Sequence, residues 1–221
     1  MRHWRGPFDR QGYHHGNLKE ALIEAAQRFI AERGLGGFTL ADAAKLVGVT
    51  PAALYRHFRG REALVAEVAF RGFDELAKRL GKALQSEGSP RERFTRMGEA
   101  YLAFAEQEPG FYAAMFSAKP LESEGCGPWG ASAPEGPKRT NGAFDYLVEA
   151  LTKTYPEGFQ SVDVRFIALE VWALSHGIAT LDAAGQLPKG PNLPDKYELL
   201  RAGVLALVHG ALKDQRGAAS G

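Results

Sequence analysis

The segment 39–58 constrains the fold more than any other, because it encodes two short helices joined by a very tight turn. Thr39 is a good N-cap, and Asp42 three residues later completes a capping box. Gly48 ends the first helix, since glycine adopts the left-handed conformation that such a turn favours without steric cost. Thr50-Pro51 then begins the second helix, with threonine as the cap and proline at the first position. This pattern predicts a helix-turn-helix.

The remainder of the chain also has helical period, and no run of alternating apolar residues is long enough for a strand. Capping residues precede several apolar stripes, and glycine or proline follows them. We therefore predict an all-α protein of about nine or ten helices. The predicted helices span about 17–33, 39–48, 50–58, 61–85, 89–105, 109–116, 140–155, 163–185 and 194–213.

Charge is distributed unevenly along a chain that is nearly neutral in total. The 221 residues carry a formal net charge of +1. Residues 1–64 hold ten Lys and Arg against six Asp and Glu, which gives +4 and leaves −3 for the remainder. A modestly basic head on a slightly acidic body is typical of a nucleic-acid-binding module joined to a second domain. An architectural nucleoid binder without sequence preference would require a much more basic chain.

Several functional classes are excluded by what the sequence lacks. Its single cysteine, Cys126, cannot form an intramolecular disulfide or a multi-cysteine zinc site. The adjacent His14 and His15 have no third ligand nearby, so we expect no metal and no cofactor. We find no paired catalytic carboxylates, phosphate-binding glycine loop or Gly-x-Ser-x-Gly turn, so we expect no catalytic residues and no enzyme activity.

The sequence also predicts a soluble, cytoplasmic protein. The N-terminus has no apolar run after its charged residues, unlike a secretory signal. The longest apolar stretch, residues 202–212, is about eleven residues long, which is too short to cross a bilayer. We therefore expect no contact with a membrane.

The second helix of the motif presents a distinctive outward face, whereas Leu54 and Phe58 point to the core. Its N-terminus directs a positive dipole and free N–H groups outward, which suits a phosphate group. The outward positions are Thr50, Pro51, Ala52, Tyr55 and Arg56. A helical hairpin in an unrelated α-protein would share the turn, but the tyrosine and the arginines that follow it favour DNA binding.

This segment resembles the helix-turn-helix of TetR-type transcriptional regulators. The shared pattern comprises Thr39, Ala44, Gly48-Val49-Thr50, Leu54-Tyr55-x-His57-Phe58 and Arg61-Glu62-x-Leu64. Two positions depart from the pattern: Ala43 stands where a branched aliphatic residue is usual, and Arg61 replaces the commoner lysine. The stretch from Tyr13 to Asn17 also resembles what precedes the first helix in many of these proteins.

The resemblance implies a helix-turn-helix DNA-binding domain over residues 1–62 and a ligand-binding and dimerisation domain over residues 63–221. The second helix of the motif would lie in the major groove of double-stranded DNA, with Pro51, Ala52 and Tyr55 nearest the base edges. Phosphate contacts would come from Thr39, Thr50, Tyr55, His57 and Arg61. Arg56 suits either a phosphate or a guanine, with the phosphate favoured, and the alternative for His57 is a solvated residue at the helix end.

The last two predicted helices, 163–185 and 194–213, are apolar on nearly all sides. A helix of this kind must be covered all round, so we expect both to form a four-helix bundle with a second copy of the chain. The spacing Trp172-x-x-x-His176-Gly177 resembles the signature of the WHG subclass of TetR C-terminal domains. We interpret His176 as a core histidine with satisfied hydrogen bonds or as a polar contact to a ligand.

The resemblance also implies a small, apolar effector that releases a dimeric repressor from a pseudo-palindromic operator. The candidate contacts are Phe104, Phe111, Met115, Phe144, Trp172 and His176. The Pro- and Gly-rich stretch 117–138, with Trp129, is either a lid over that site or a disordered surface loop. The competing interpretation is an all-α ligand-binding protein or enzyme in which the helix-turn-helix is incidental.

Overall fold

The computed structural model describes residues 18–117, 142–156, 158–159 and 163–218, and the side chains of residue 117 and of residues 214–218 are not included. Within these ranges every regular element is an α-helix, which confirms the predicted all-α fold. The helices are α1 (Leu18–Arg33), α2 (Leu40–Val47), α3 (Pro51–Tyr55), α4 (Arg61–Leu84), α5 (Pro90–Gln107), α6 (Pro109–Ser117), α7 (Gly142–Thr154), α8 (Val164–Ala183) and α9 (Lys196–Ala218). The expectations for Tyr13 to Asn17, Cys126, Trp129 and the rest of the stretch 118–138 lie outside the described residues.

The starts of α2 and α5 are fixed by hydrogen bonds between residues three positions apart. Thr39 Oγ1 accepts a bond from the Asp42 backbone N–H (3.2 Å), and Asp42 Oδ2 accepts one from the Thr39 backbone N–H (2.8 Å). Ser89 and Glu92 form the same capping box before α5. Because these bonds satisfy donors that a helix start leaves open, both helices begin where the sequence predicts.

α3 is shorter than predicted, since it ends at Tyr55 rather than near Phe58. The Leu54 carbonyl accepts hydrogen bonds from the backbone N–H groups of both His57 (2.9 Å) and Phe58 (3.0 Å). This shared acceptor closes a tighter turn than an α-helix would, and the turn brings Phe58 into the core.

α9 begins later and ends later than the predicted range 194–213. Asp195 is the N-cap of α9, because its Oδ1 accepts hydrogen bonds from the backbone N–H groups of Tyr197 (2.8 Å) and Glu198 (2.7 Å). Glu198 Oε2 in turn accepts a bond from the Asp195 backbone N–H (3.1 Å). This third capping box starts the helix at Lys196, two residues after Pro194, where the sequence predicts the start.

Two hydrophobic cores share α4. The first is built from α1, α2, α3 and the beginning of α4, and Ala114 of α6 completes it. The second begins at Phe73 on α4 and continues through α5 to α9. The domain boundary between residues 62 and 63 stays a prediction, and the first core extends past it to Ala69.

α6 lies between the two cores and contacts both. Gly110 sits so close to α1 that a Cβ at this position would overlap the backbone oxygen of Gln27. Gln27 Nε2 donates a hydrogen bond to Glu108 Oε2 (3.1 Å) just before α6. On α4, Gly72 leaves room for Met115, whose Sδ would lie 2.6 Å from a Cβ there. A movement of α6 would therefore have to be accommodated by both α1 and α4.

α8 is long and apolar enough to cross a membrane by length and composition, with a mean hydropathy of 1.3 in its most apolar window. With 20 residues, α8 is longer than the stretch 202–212, which the sequence predicts to be the longest apolar run. In the structure 39% of that window is buried, and α8 packs against α5, α7 and α9. Core helices of soluble proteins pass the same test of length and composition.

Candidate nucleic-acid interface and ligand cavity

The turn between α2 and α3 has the geometry that the sequence predicts. Gly48 has φ +80° and ψ +28°, in the left-handed region. Its N–H donates to the Lys45 carbonyl (3.2 Å), and the Val49 N–H donates to the Ala44 carbonyl (2.9 Å). Ala44 is completely buried, so its small side chain allows the close packing of the motif. The chain therefore reverses within three residues, as in a helix-turn-helix.

The outward face of α3 is fully available to a partner. Tyr55 is 60% exposed although it is a large aromatic residue, whereas Leu54 on the same helix is completely buried. The other candidate contacts on and just after this short helix are also exposed. They are Thr50, Pro51, Ala52, Arg56 and His57. The structure thus places six of the eight predicted DNA contacts, all exposed, in one short segment, residues 50–57.

The two threonines of the predicted set already serve as helix caps. Thr39 Oγ1 donates to Asp42 Oδ2 (2.7 Å), and this bond lowers the pKa of the Asp42 carboxyl group. Thr50 Oγ1 accepts a bond from the Ala53 backbone N–H (3.4 Å), which leaves its own O–H proton for a phosphate oxygen. Of the two, Thr50 is therefore better prepared for a phosphate contact.

Arg61, at the start of α4, is held against the residue that precedes the capping box of α2. Its Nε donates to the Phe38 carbonyl (3.2 Å), and its guanidinium lies 5.0 Å from the centroid of the Phe38 ring. Phe38 in turn stacks on Phe29 of α1, with the ring centroids 5.8 Å apart. The guanidinium has further N–H donors, so this packing is compatible with a phosphate contact.

The six predicted ligand contacts do not all line one cavity. Phe104 is completely buried, Phe111 and Met115 pack against Gly72 on α4, and Phe144 is buried with its ring centroid 6.0 Å from that of Trp172. Trp172 is the one member of the set that lines a cavity between α4, α5, α7, α8 and α9. His176 belongs to a polar cluster that adjoins this cavity through Tyr101.

A cavity of about 120 Å³ lies between α4, α5, α7, α8 and α9. Buried apolar side chains form its inner wall, among them Phe94, Met97, Trp172 and Leu200. Three residues of the lining are exposed and so mark its opening to solvent: Arg91, Glu99 and Arg201. The opening therefore carries two positive charges and one negative charge.

The predicted ligand contacts include only Phe104 from α5 and none from α9, because sequence reasoning followed mainly aromatic and methionine side chains. A usable signal is Gly98, in the middle of α5, since a glycine inside a helix costs stability relative to alanine. A Cβ at Gly98 would lie 3.1 Å from Leu200 Cδ2, so the glycine permits the close approach of α9. An interior glycine flanked by Phe94 and Tyr101 on one helical face therefore indicates the close approach of another helix.

A cluster of two tyrosines and a histidine lies against the cavity. Tyr112 Oη is 2.8 Å from His176 Nδ1, and Tyr101 Oη is 3.4 Å from the same nitrogen. Tyr112 Oη is also 3.5 Å from Thr180 Oγ1. The Phe116 ring covers the imidazole, with centroids 4.3 Å apart. The cluster joins α5, α6 and α8, and Tyr101 also lines the cavity.

Burial determines the protonation of this cluster. It raises the pKa values of Tyr101 and Tyr112, so both hydroxyls keep their protons. It lowers the pKa of His176, which favours the neutral imidazole. The Tyr112 hydroxyl and the neutral ring therefore share a hydrogen bond at Nδ1, and the tautomer of His176 sets which of the two is the donor. His176 is thus half-buried with a partnered ring nitrogen, and its role as a ligand contact stays a prediction.

A metal ion would need several acidic, histidine or cysteine side chains around one point. No group of three or more such residues with suitable geometry occurs in the part of the chain that the structure describes.

Two family models match the chain. Residues 94–207, slightly more than half of the sequence, match the model described as "Tetracyclin repressor-like, C-terminal domain". Residues 22–68 match "Bacterial regulatory proteins, tetR family". The second match covers most of α1, the helix-turn-helix and the start of α4, and the first covers most of the second core.

Curated relatives and solved structures agree with these matches. The chain is 30% identical over 99 residues to the uncharacterized HTH-type transcriptional regulator YobS of Bacillus subtilis, an alignment that covers 45% of this chain and 51% of YobS. It thus spans about half the length of the curated relatives that it matches. A protein of unknown function from Rhodococcus sp. RHA1 is 30% identical, with a TM-score of 0.68 over 91% of this chain and 99% of that one.

The fold is also that of a solved regulator. The TetR family transcriptional regulator PfmR from Thermus thermophilus superposes with a TM-score of 0.57 over 85% of this chain and 97% of that one, at 22% identity. At this identity the likeness concerns the fold alone.

Proposed function

The chain belongs to the TetR family of bacterial regulatory proteins, and from this premise we propose that it is a sequence-specific DNA-binding transcriptional regulator. It acts in the cytoplasm as a dimeric repressor that a small-molecule effector releases from its operator. The observation that carries the proposal is the exposed Tyr55 on a helix held in place by the buried Leu54 and Phe58. The matched family is one of regulatory proteins and not of enzymes.

DNA recognition follows from the chemistry of α3. Pro51 and Ala52 offer apolar contacts, most simply to thymine methyl groups in the major groove. The hydroxyls of Thr50 and Tyr55 and the charge of Arg61 bind phosphates and fix the position of the helix on the duplex. Arg56 and His57, at the end of the same short segment, contribute further phosphate contacts, and Thr39 joins them once its hydroxyl leaves Asp42.

Dimerisation through α8 and α9 is supported by an apolar stripe that the monomer leaves open. Phe166, Leu169 and Leu181 on α8 are 57%, 39% and 43% exposed. Ala173 and Gly177 continue this stripe at helical spacing, and a Cβ at Gly177 would meet nothing within 4 Å. A second copy of the chain, packed closely at the glycine, would cover the stripe and form a four-helix bundle.

The effector acts by favouring an arrangement of the two recognition helices that does not fit the operator. Release requires the effector to bind that arrangement more tightly than the DNA-bound one, and the coupling is reciprocal. The C-terminal domain is of the WHG type, on the basis of Trp172, His176 and Gly177. In this proposal the tryptophan lines the ligand cavity and the histidine binds α6 through Tyr112.

The proposal is tested by selecting duplexes from a random DNA library and measuring binding by fluorescence anisotropy. We expect a pseudo-palindromic motif with half-sites about one helical turn apart or somewhat more. Tyr55→Ala should weaken binding to the selected duplex by at least about 30-fold, since removing one base interaction costs about 1–3 kcal/mol and a dimer has two such sites. Its thermal unfolding should match that of the wild type, because Tyr55 is exposed.

Tyr55→Phe is the matched control, because it keeps the ring and removes only the hydroxyl. It should lose less affinity than Tyr55→Ala and keep the preference for the selected motif. Recovery of no common motif from the library, or unchanged affinity of Tyr55→Ala, would contradict the proposed function.

A further inference from the structure

The cavity has a charged opening that a purely apolar effector would not use. Buried side chains such as Phe94 and Trp172 form its apolar inner wall. The exposed residues at its opening are two arginines, Arg91 and Arg201, and one acidic residue, Glu99. We infer that the ligand of this cavity is a small amphiphilic carboxylate, with its apolar body between α5, α8 and α9 and its carboxylate at Arg91 and Arg201. The inference rests on the proposed regulatory function and narrows its effector to one chemical class.

The size of the cavity limits the apolar part of the ligand. Its volume of about 120 Å³ is close to that of engineered protein cavities of about 150 Å³ that take up benzene. An aromatic ring or a short alkyl chain therefore fits this volume. The Met97 side chain in the wall is flexible and adapts to small differences in shape.

The charge of the ligand follows from the geometry of the opening. Arg91 lies near the start of α5 and Arg201 lies in α9, so the two exposed arginines line the cavity from different helices. Guanidinium groups bind carboxylates through paired N–H donors, which gives both affinity and orientation. Tyr197, which also lines the cavity, carries a hydroxyl that can donate to a carboxylate oxygen, whereas the Thr95 hydroxyl already donates to the Arg91 carbonyl (3.0 Å).

A second, larger cavity does not have this property. It has a volume of about 640 Å³ and lies at the loop between α8 and α9. Its lining includes Lys196, whose Nζ is 2.7 Å from Asp182 Oδ2 and 2.9 Å from Glu106 Oε2. Because two carboxylates already surround this cation, the second cavity does not favour an anionic ligand.

The first cavity is also connected to the DNA-binding part of the molecule. Tyr101 lines the cavity and lies 3.4 Å from His176 Nδ1, which binds Tyr112 on α6. α6 packs directly on α1 through Gly110. A ligand that displaces Tyr101 therefore alters its contact with His176, which is joined through Tyr112 to α6 and so to α1.

The experiment compares three probes of equal chain length and different charge: octanoate, 1-octanol and octylamine. Binding is followed through the fluorescence of Trp172 in the full-length Trp4→Phe/Trp129→Phe variant, in which the remaining tryptophan lines the cavity. We expect saturable binding of octanoate that is at least about tenfold tighter than that of 1-octanol, and no detectable binding of octylamine.

Charge variants locate the carboxylate. Arg91→Gln and Arg201→Gln should each weaken octanoate binding several-fold and leave 1-octanol binding unchanged. Lys78→Gln is the matched control, because it removes an exposed positive charge on α4 that does not line the cavity. All three positions are at least partly open to solvent, and comparison of their thermal unfolding with that of the wild type checks that the variants fold.

The results separate this inference from the proposed function. Octanoate that binds no better than 1-octanol, that fails to saturate, or that is unaffected by both arginine substitutions overturns the inference. Duplex binding is titrated separately on ligand-free protein, so failure to bind a selected duplex contradicts the proposed function alone. Octanoate that binds without lowering the affinity for a selected duplex overturns the effector role of the carboxylate.

Discussion

Among the described histidines, His176 has the most restrictive surroundings. Its ring stacks on Tyr112 and packs at an angle against Phe116, and its Nδ1 shares a hydrogen bond with the buried Tyr112 hydroxyl. Burial lowers the pKa of this imidazole below its ordinary value of 6.5. Protonation would place a charge between Tyr101, Tyr112 and Thr180, and no acidic side chain is among these contacts.

This environment predicts a loss of stability in mild acid. Because the folded-state pKa of His176 is lowered, the unfolded chain binds its proton first as the pH falls below 6.5. The free energy of unfolding should therefore decrease between pH 7.5 and pH 5.5 in urea titrations. His176→Gln should show a smaller decrease over the same interval. An equal decrease in both proteins would show that another group is responsible.

Arg61 combines a packing role with a predicted phosphate contact. Arg61→Ala should reduce affinity for all duplexes alike and lower the slope of log K against log salt by about one for each phosphate interaction that it removes. It should also lower the melting temperature, because it removes the bond to the Phe38 carbonyl and the cover of the Phe38 ring. Anisotropy at several salt concentrations measures the first effect. A loss confined to one duplex sequence would contradict a phosphate contact.

At the scale of elements, α3 depends on its surroundings more than on its own composition. A helix of five residues is far too short to be stable alone. It exists because Thr50 caps it, the Gly48 turn directs it, and Leu54 anchors it in the first core. The exposed face of α3, which carries Tyr55, therefore results from tertiary packing around a locally encoded turn.

α6 is the element whose position should be most sensitive to a single methyl group. Gly110→Ala would place a Cβ on the backbone oxygen of Gln27, which cannot move as a side chain could. We expect a loss of about 2 kcal/mol in the free energy of unfolding, typical of overpacking. Chemical denaturation measures this change.

Gly142→Ala is the matched control for Gly110→Ala, since a Cβ there would make an ordinary 3.6 Å contact with Tyr146 at the start of α7. It should leave stability unchanged or raise it slightly, because alanine is the better helix former. Equal effects of the two substitutions would show that the contact between α6 and α1 is not tightly packed.

For the whole molecule, the open stripe on α8 predicts a dimer of twice the 24.0 kDa chain. Leu169→Glu places a charge in that stripe and should shift the protein to the monomer in size-exclusion chromatography with light scattering. Leu193→Glu is the matched control, because this leucine is also about half exposed but lies in the loop before α9. A monomeric wild type, or a Leu169→Glu variant that stays dimeric, would contradict the proposed interface.

Much of the fold was predictable because its determinants lie within a few residues of one another. The capping boxes at Thr39 and Ser89, the turn at Gly48 and the start of α3 at Pro51 are all local, and the structure contains each of them. The predicted end of α3 was wrong because the bonds to the Leu54 carbonyl depend on the burial of Phe58.

The sequence by itself determined the all-α class, the helix-turn-helix and the outward face that carries Tyr55, since period, caps and turn residues act over one or two helical turns. Tertiary structure alone decided which side chains surround the cavity and which meet His176. Those groups come from different helices: Tyr101 and His176 are 75 residues apart in the chain and Tyr112 and His176 are 64 apart. Such contacts depend on how helices pack, and helical period cannot specify the partner that a buried face meets.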